Sequence, residues 1–239
     1  MKIEGKIREA SFLQRLNRFS ALVELEGSEE VVYLANSGRM EELLQPGRPV
    51  LLEERFAPHR KTSYDLIIVA LGEKGEKMVS VDARVHAKLV YEALLRGALP
   101  HFKGYSSIYR EATLGQSRLD FLISGSSRFC FLEVKSVTLV RQGRALFPDA
   151  PTLRGRRHLR ELIQAKRGGY EVAIVFVIQR EDAFALSPND EMDPEFGRDL
   201  REAEEKGVSI YAYDSRVSPG EITLAEEIPV SLMSRCQIG

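Results

Sequence analysis

The chain has 239 residues, 44% of them hydrophobic and 29% charged, with a formal net charge of -1. That length admits one large or two small domains with a real core, and the near-neutral balance excludes a protein coated in basic residues. The longest apolar run, Val172 to Ile178, is too short to span a membrane. The start, Met1-Lys-Ile-Glu-Gly-Lys6, has no apolar stretch of the kind a signal peptide needs. Of the two cysteines, Cys130 falls in an expected core strand and Cys236 near the end, so neither a structural disulfide nor a thiolate metal site is expected. A soluble, cytoplasmic protein with no membrane association is the expectation.

Residues 1–82 read as all-β. Ala21-Leu-Val-Glu-Leu25, Val31-Val-Tyr-Leu-Ala35, Pro49-Val-Leu-Leu-Glu53, Tyr64-Asp-Leu-Ile-Ile-Val69 and Lys77-Met-Val-Ser-Val81 alternate or are rich in β-formers. Turn signals separate them at Glu26-Gly-Ser28, Asn36-Ser-Gly38, Gln45-Pro-Gly47 and Gly72-Glu-Lys-Gly75. About five short strands in this space predict a small barrel of the OB type. A short helix is expected over 39–44.

From residue 83 to 239 a mixed α/β domain is expected. Leu89, Val90, Ala93 and Leu94 follow helical spacing, and Gly97 can end that helix. Strands are predicted at 107–114, 118–124 and 128–137. A polar, Arg-rich loop then leads into a helix with Leu159, Leu162 and Ile163 on one face. Val172 to Ile178 reads as a central strand covered on both sides. Asp193-Pro194 supplies an N-cap and a first-turn proline for a helix burying Phe196, Leu200 and Ala203, with Gly207 after its end. Ser209 to Tyr213 is the last predicted strand.

Chemistry concentrates on two of these strands. Asp120 lies on one and Glu133-Val-Lys135 on the next. Side chains alternate along a strand, so Glu133 and Lys135 share a face, roughly 7 Å apart along the backbone. Both interrupt an apolar run, where unpaired charge is expensive. Two carboxylates can bind Mg or Mn, which prefer oxygen donors, and Lys135 can stabilise developing negative charge. Asp120, Glu133 and Lys135 are therefore the candidate catalytic residues. Asp120 and Glu133 are the candidate metal ligands, with Glu111 as a further carboxylate. The competing reading of Glu-x-Lys is a surface ion pair.

Candidate phosphate contacts surround this core. The segment 141–167 holds eight Lys or Arg against two acids, whereas 181–205 holds ten acids against two Arg. A basic face beside an acidic region suits a polyanion approaching from one side. Arg154, Arg156, Arg157 and His158 open a helix whose first amides also favour phosphate. Arg118 precedes Asp120, and Arg180 ends the central strand, where α/β proteins place binding groups. Asp149 of Phe147-Pro-Asp149 can approach the same site. On the barrel, Arg39, Arg60 and Lys61 can track a nucleic-acid backbone. No Walker loop, His-Glu-x-x-His, Cys-x-x-Cys or Gly-x-Ser-x-Gly occurs, which removes the usual support for ATPase, zincin, zinc-finger and α/β-hydrolase readings.

Several stretches together resemble one family. They are Asn36-Ser-Gly-Arg-Met40 with Pro46-Gly47, Arg60-Lys61 with Tyr64-Asp-Leu66, Gly115-Gln-Ser-Arg-Leu-Asp-Phe121, and Glu133-Val-Lys-Ser-Val-Thr-Leu139. Phe147-Pro-Asp-Ala150, Thr152 with Arg154-Gly155, His158-Leu159 with Glu161-Leu162, and Gln179-Arg180 complete the set. On these the chain resembles the sugar fermentation stimulation protein A (SfsA) family. The segment Val81-Asp-Ala-Arg-Val-His86 departs from the Asn-Thr-containing segment associated with that family, and the tail from Met233 is unmatched. The resemblance implies an N-terminal OB-like domain, a C-terminal domain similar to the PD-(D/E)xK nucleases, DNA binding, and a regulatory link to sugar (maltose) metabolism. It places Asp120, Glu133 and Lys135 on the nuclease motif. Two functions follow as expectations: hydrolysis of DNA phosphodiesters at a metal-dependent site, or DNA-binding regulation without cleavage.

Overall fold

The computed structural model describes residues 1–72 and 75–233, so Cys236 and the middle of the Gly72–Gly75 turn lie outside the described residues. The first sheet holds β1 (Ile7–Asn17), β2 (Ser20–Leu25), β3 (Ser28–Tyr33), β4 (Pro49–Glu54), β5 (Tyr64–Leu71) and β6 (Lys77–Ser80). Its order is β3-β2-β1-β4-β5-β6, and a parallel bridge between Tyr33 and Asp65 joins β3 to β5. That bridge closes β1 to β5 into the five-stranded OB circuit. Phe12, Val23, Val32, Leu52, Leu66 and Val69 fill the interior. The eleven-residue β1 has no counterpart among the predicted strands. Its period is broken by register shifts at Phe12/Gln14 and Arg15/Asn17, which blur alternation. The expected helix over 39–44 is a single turn, with Leu43 N and Leu44 N both donating to Met40 O. Pro46 follows too closely for it to propagate.

The second unit begins with α1 (Val85–Leu95), which ends at Arg96 and Gly97, the latter at φ 63. Next come β7 (Ser107–Leu114), β8 (Ser117–Gly125) and β9 (Arg128–Val137). The loop expected before the second helix contains the hairpin β10 (Val140–Arg141) and β11 (Arg144–Phe147). Then follow α2 (Leu153–Arg167), β12 (Glu171–Ile178), β13 (Ala185–Pro188), α3 (Pro194–Glu205), β14 (Ser209–Val217) and β15 (Ile222–Glu227). The strand expected to be last is thus followed by another, paired antiparallel to it.

The main sheet runs β15-β14-β12-β9-β8-β7, with β12 parallel to both β9 and β14. Leu159, Leu162, Phe196 and Leu200 pack α2 and α3 on one face, against Ile174 and Phe176. Val85, Leu89 and Val90 of α1 cover the other, against Val134, Val175 and Val177. This explains the unbroken apolar run of β12, which is buried on both faces.

Several contacts fix the two units together. Ser80 Oγ donates to Gln179 Oε1 at 3.0 Å, and Gln179 Nε2 donates to Ser136 Oγ at 2.8 Å. Lys2 bridges Glu221, so the first residues lie against the second unit. Asp149 enters the barrel loop 38–40, where backbone amides of Met40 and Arg39 serve its carboxylate. A Cβ on Gly38 would come within 2.2 Å of Asp149 Oδ2, so only glycine permits this approach.

Candidate metal-dependent site

Glu133 sits on β9 beside β8, and the register Phe121↔Leu132 brings Asp120 opposite it. Asp120 Oδ2 accepts from Val134 N at 2.8 Å, a bond that ties the carboxylate to the partner strand. Glu133 is only 3% exposed. Its Oε1 accepts from Lys135 Nζ at 2.5 Å and from His158 Nδ1 at 2.6 Å. Arg154 Nε donates to His158 Nε2 at 3.2 Å. Arginine has no acceptor, so Nε2 carries the lone pair and Nδ1 the proton. This chain of bonds assigns His158 the Nδ1–H tautomer pointing at Glu133.

Both donors converge on one oxygen, and Glu133 Oε2 is buried with no hydrogen-bond partner. Burial pushes the Glu133 carboxyl up, but Lys135 and His158 outweigh it and hold the group below the usual range. Asp120 goes the other way: burial and then the Glu133 charge raise it to about 6. Two carboxylates are thus pressed together, one carrying an orphaned oxygen. That arrangement fits a hard divalent cation, which can be held by one or two carboxylates with waters completing the shell. Among the described residues no ready-made group of three His, Cys, Asp or Glu side chains surrounds the position.

His86, on the first turn of α1, adjoins the site from the opposite face. Its Nδ1 is buried without a partner, and burial and then the Lys135 charge lower its pKa to about 4. Sequence reading noted this segment only as a departure from a family pattern. A histidine in a helix's first turn carries no signal of facing a lysine on a distant strand.

The other candidates divide. Arg154 is drawn to the site through His158 and the charge of Asp120. Arg157 is exposed, and its Nε donates to Ser117 Oγ at 3.1 Å. Arg39 and Lys61 are exposed on the barrel. Glu111 does not join the carboxylates. It bends out of β7 at φ 57, and its exposed side chain meets Arg118 at 3.6 Å, which occupies Arg118 as well. Arg156 lies between Asp193 and Glu195 at 3.8 and 3.6 Å, so it clamps α2 to α3 instead of facing solvent. Arg60 is paired with Asp65. Asp149 serves the barrel loop and not the site. Arg180 is 6% exposed, binds Asp182 through Nε and Nη2 at 2.5 and 2.7 Å, and sends Nη1 toward Thr138 O. Its role is therefore internal: Arg180→Ala should lower the unfolding free energy by about 2 kcal/mol, with DNA affinity unchanged. Thermal melting and a binding titration check this, and loss of affinity without loss of stability would return Arg180 to the binding surface.

Residues 84–221 match the model of the "sugar fermentation stimulation protein RE domain", and residues 13–81 match that of the "SfsA N-terminal OB domain". The chain belongs to the sugar fermentation stimulation protein family. Homologues bearing that family's name include one from Caldanaerobacter subterraneus subsp. tengcongensis, 43% identical over 97% of this chain and all of the relative. Another, from Clostridium kluyveri, is 46% identical with the same coverage. The structure of Pyrococcus furiosus SfsA in complex with Ca2+ superposes with a TM-score of 0.88 at 33% identity, covering 97% of this chain and 99% of that one. The SfsA fold is an OB barrel followed by an α/β domain. The order α1-β7-β8-β9-β10-β11-α2-β12 places the carboxylates on the adjacent strands β8 and β9 of the α/β domain that the resemblance implied. No described helix is long and apolar enough to cross a membrane.

Proposed function

We propose that this protein binds DNA and hydrolyses its phosphodiesters at a divalent-metal site held by Asp120 and Glu133, with Mg or Mn as the ion. The observation that carries this is the orphaned, buried Oε2 of Glu133 beside an Asp120 whose pKa is raised to about 6. Lys135 compensates one oxygen of Glu133 only, and the orphaned oxygen beside a second buried carboxylate is unfavourable unless a further cation compensates it. The Pyrococcus furiosus relative was solved with Ca2+, another hard cation served by oxygen donors.

A divalent cation, when bound, polarises a scissile phosphate and lowers the pKa of bound water. The chain's own residues do the rest. Lys135, anchored by Glu133, presents an ammonium where phosphate charge builds up. His158 holds Glu133 in one rotamer, and Arg154 holds His158 in one tautomer. Arg154 and Arg157, on the first turns of α2, face a DNA backbone, with Arg39 and Lys61 continuing the basic track on the barrel.

A second reading is a DNA-binding regulator that keeps the fold without cutting. That no third carboxylate joins the site among the described residues favours it, as does the family's name. One assay separates the two: single- and double-stranded DNA incubated with manganese or magnesium, with Asp120→Ala as control. Cleavage by the wild type alone supports the nuclease; binding without cleavage by either supports the regulator. Independently, Arg154→Ala with Arg157→Ala should reduce the slope of log affinity against log salt by about two. An unchanged slope places the DNA elsewhere.

A further inference from the structure

Arg18 and Phe19 form the tight turn between β1 and β2, where Asn17 Oδ1 accepts from Phe19 N at 2.8 Å. Such turns favour Asn, Asp and Gly; a phenylalanine contributes nothing to the turn itself. Its ring nevertheless stands 47% exposed. On β3 the side chains alternate, with Val32 buried and Val31 45% exposed, so Tyr33 shares the outer face with Val31. The loop between β4 and β5 folds alongside, and Phe19, Val31, Tyr33 and Lys61 line one groove. The guanidiniums of Arg60 and Arg84 lie 5.9 and 5.6 Å from the centre of the Tyr33 ring and hold it in place.

Charge is graded along this face. Arg60 is committed to Asp65, whereas Lys61 is exposed at the groove. At the far end of the β2–β3 hairpin, Glu24 lies opposite Glu29, both exposed, while Glu26 is paired with Arg8. A polyanion is attracted at the aromatic end and repelled at the other. In the OB circuit this surface, built from β2, β3 and the β1–β2 and β4–β5 loops, is one that can take an oligonucleotide.

We infer that the groove holds a short unpaired segment of DNA, its bases stacked on Phe19 and Tyr33 over Val31 and its phosphates beside Lys61. This rests on the DNA reading above and deepens it by naming an unpaired strand as the barrel's ligand. Duplex DNA hides its base faces from such rings, whereas unpaired bases offer them. An apolar protein segment would gain nothing from the flanking cations.

The test is fluorescence anisotropy of the full chain in EDTA, with an oligothymidylate and with a duplex of the same length. Phe19→Ala should weaken oligothymidylate binding at least about fivefold while duplex binding stays within error. Phe19→Tyr, which keeps a ring, should restore it, and Lys61→Gln should weaken the oligothymidylate and flatten its salt dependence. Equal loss on both ligands, or none on either, overturns the inference. So does an unchanged oligothymidylate affinity with a shift to a smaller species in gel filtration, which makes the groove a contact between copies. A wild type that binds neither form sinks the DNA reading as well. Normal duplex binding with no dependence on the ring sinks only the inference.

Discussion

In metal-free buffer at about pH 7.5, Asp120→Asn should melt several degrees above the wild type. The Asp120 pKa is raised from its ordinary value of 3.8 to about 6, by burial first and the Glu133 charge second. Between those values the folded state holds a proton that the unfolded state has released. Stability from this group is therefore fully present at low pH, falls as pH rises through that window, and is missing above it. That rise corresponds to about 3 kcal/mol at most. Asparagine removes the charge, and its side-chain oxygen can still accept from Val134 N. Near pH 4 the advantage should vanish. Added manganese should raise the melting temperature of the wild type by mass action and leave the variant unmoved. If the variant melts lower at both pH values, or manganese stabilises both proteins equally, the carboxylates are not the metal site.

Glu133 should give the largest loss. Glu133→Ala strands the Lys135 ammonium and the His158 Nδ1–H, both of which now share one carboxylate oxygen. Removing one partner of a buried ion pair costs about 3–5 kcal/mol. That variant measures the stability of the cluster, not its chemistry. Glu133→Gln tests the chemistry, because the amide oxygen still accepts from both donors while the charge needed for a cation is gone. The glutamine variant should fold, bind duplex DNA within about twofold of the wild type, and lose metal-dependent cleavage. Cleavage at the wild-type rate would remove Glu133 from the ligand set. Calorimetry and a gel-based cleavage assay on the same preparations read both effects.

The sequence by itself determined the elements whose pattern is local. Strand β8 alternates cleanly, β9 opens on an apolar run, and β12 is an unbroken apolar run between turn signals. The helix α3 carries its own cap, as Asp193 accepts from Phe196 N at 2.9 Å. Adjacent strands bearing Asp120 and Glu133-x-Lys135 were enough to locate a candidate site, since a period of two fixes which side chains share a face. Less local elements were not legible. The strand β13 is four residues long and exists through its parallel pairing with β11, some 40 positions earlier in the chain.

Partner choice belonged to the tertiary structure. Arg154, Arg156 and Arg157 look alike in sequence, yet one orients His158, one clamps α2 to α3 and one reaches Ser117. Helical geometry rotates successive residues by about 100°, and only the packing of α3 and β8 against α2 decides what each meets. Arg180 at the end of the central strand and Glu111 on the strand before Asp120 suggest binding and metal ligation by position; burial beside Asp182 and a positive φ in β7 give them other partners. His86 was invisible for the converse reason, since its neighbour Lys135 lies on a strand that α1 reaches only after folding. A charged side chain's role is set by which opposite charge and how much water the fold leaves it, and neither is written in the residue's own neighbourhood.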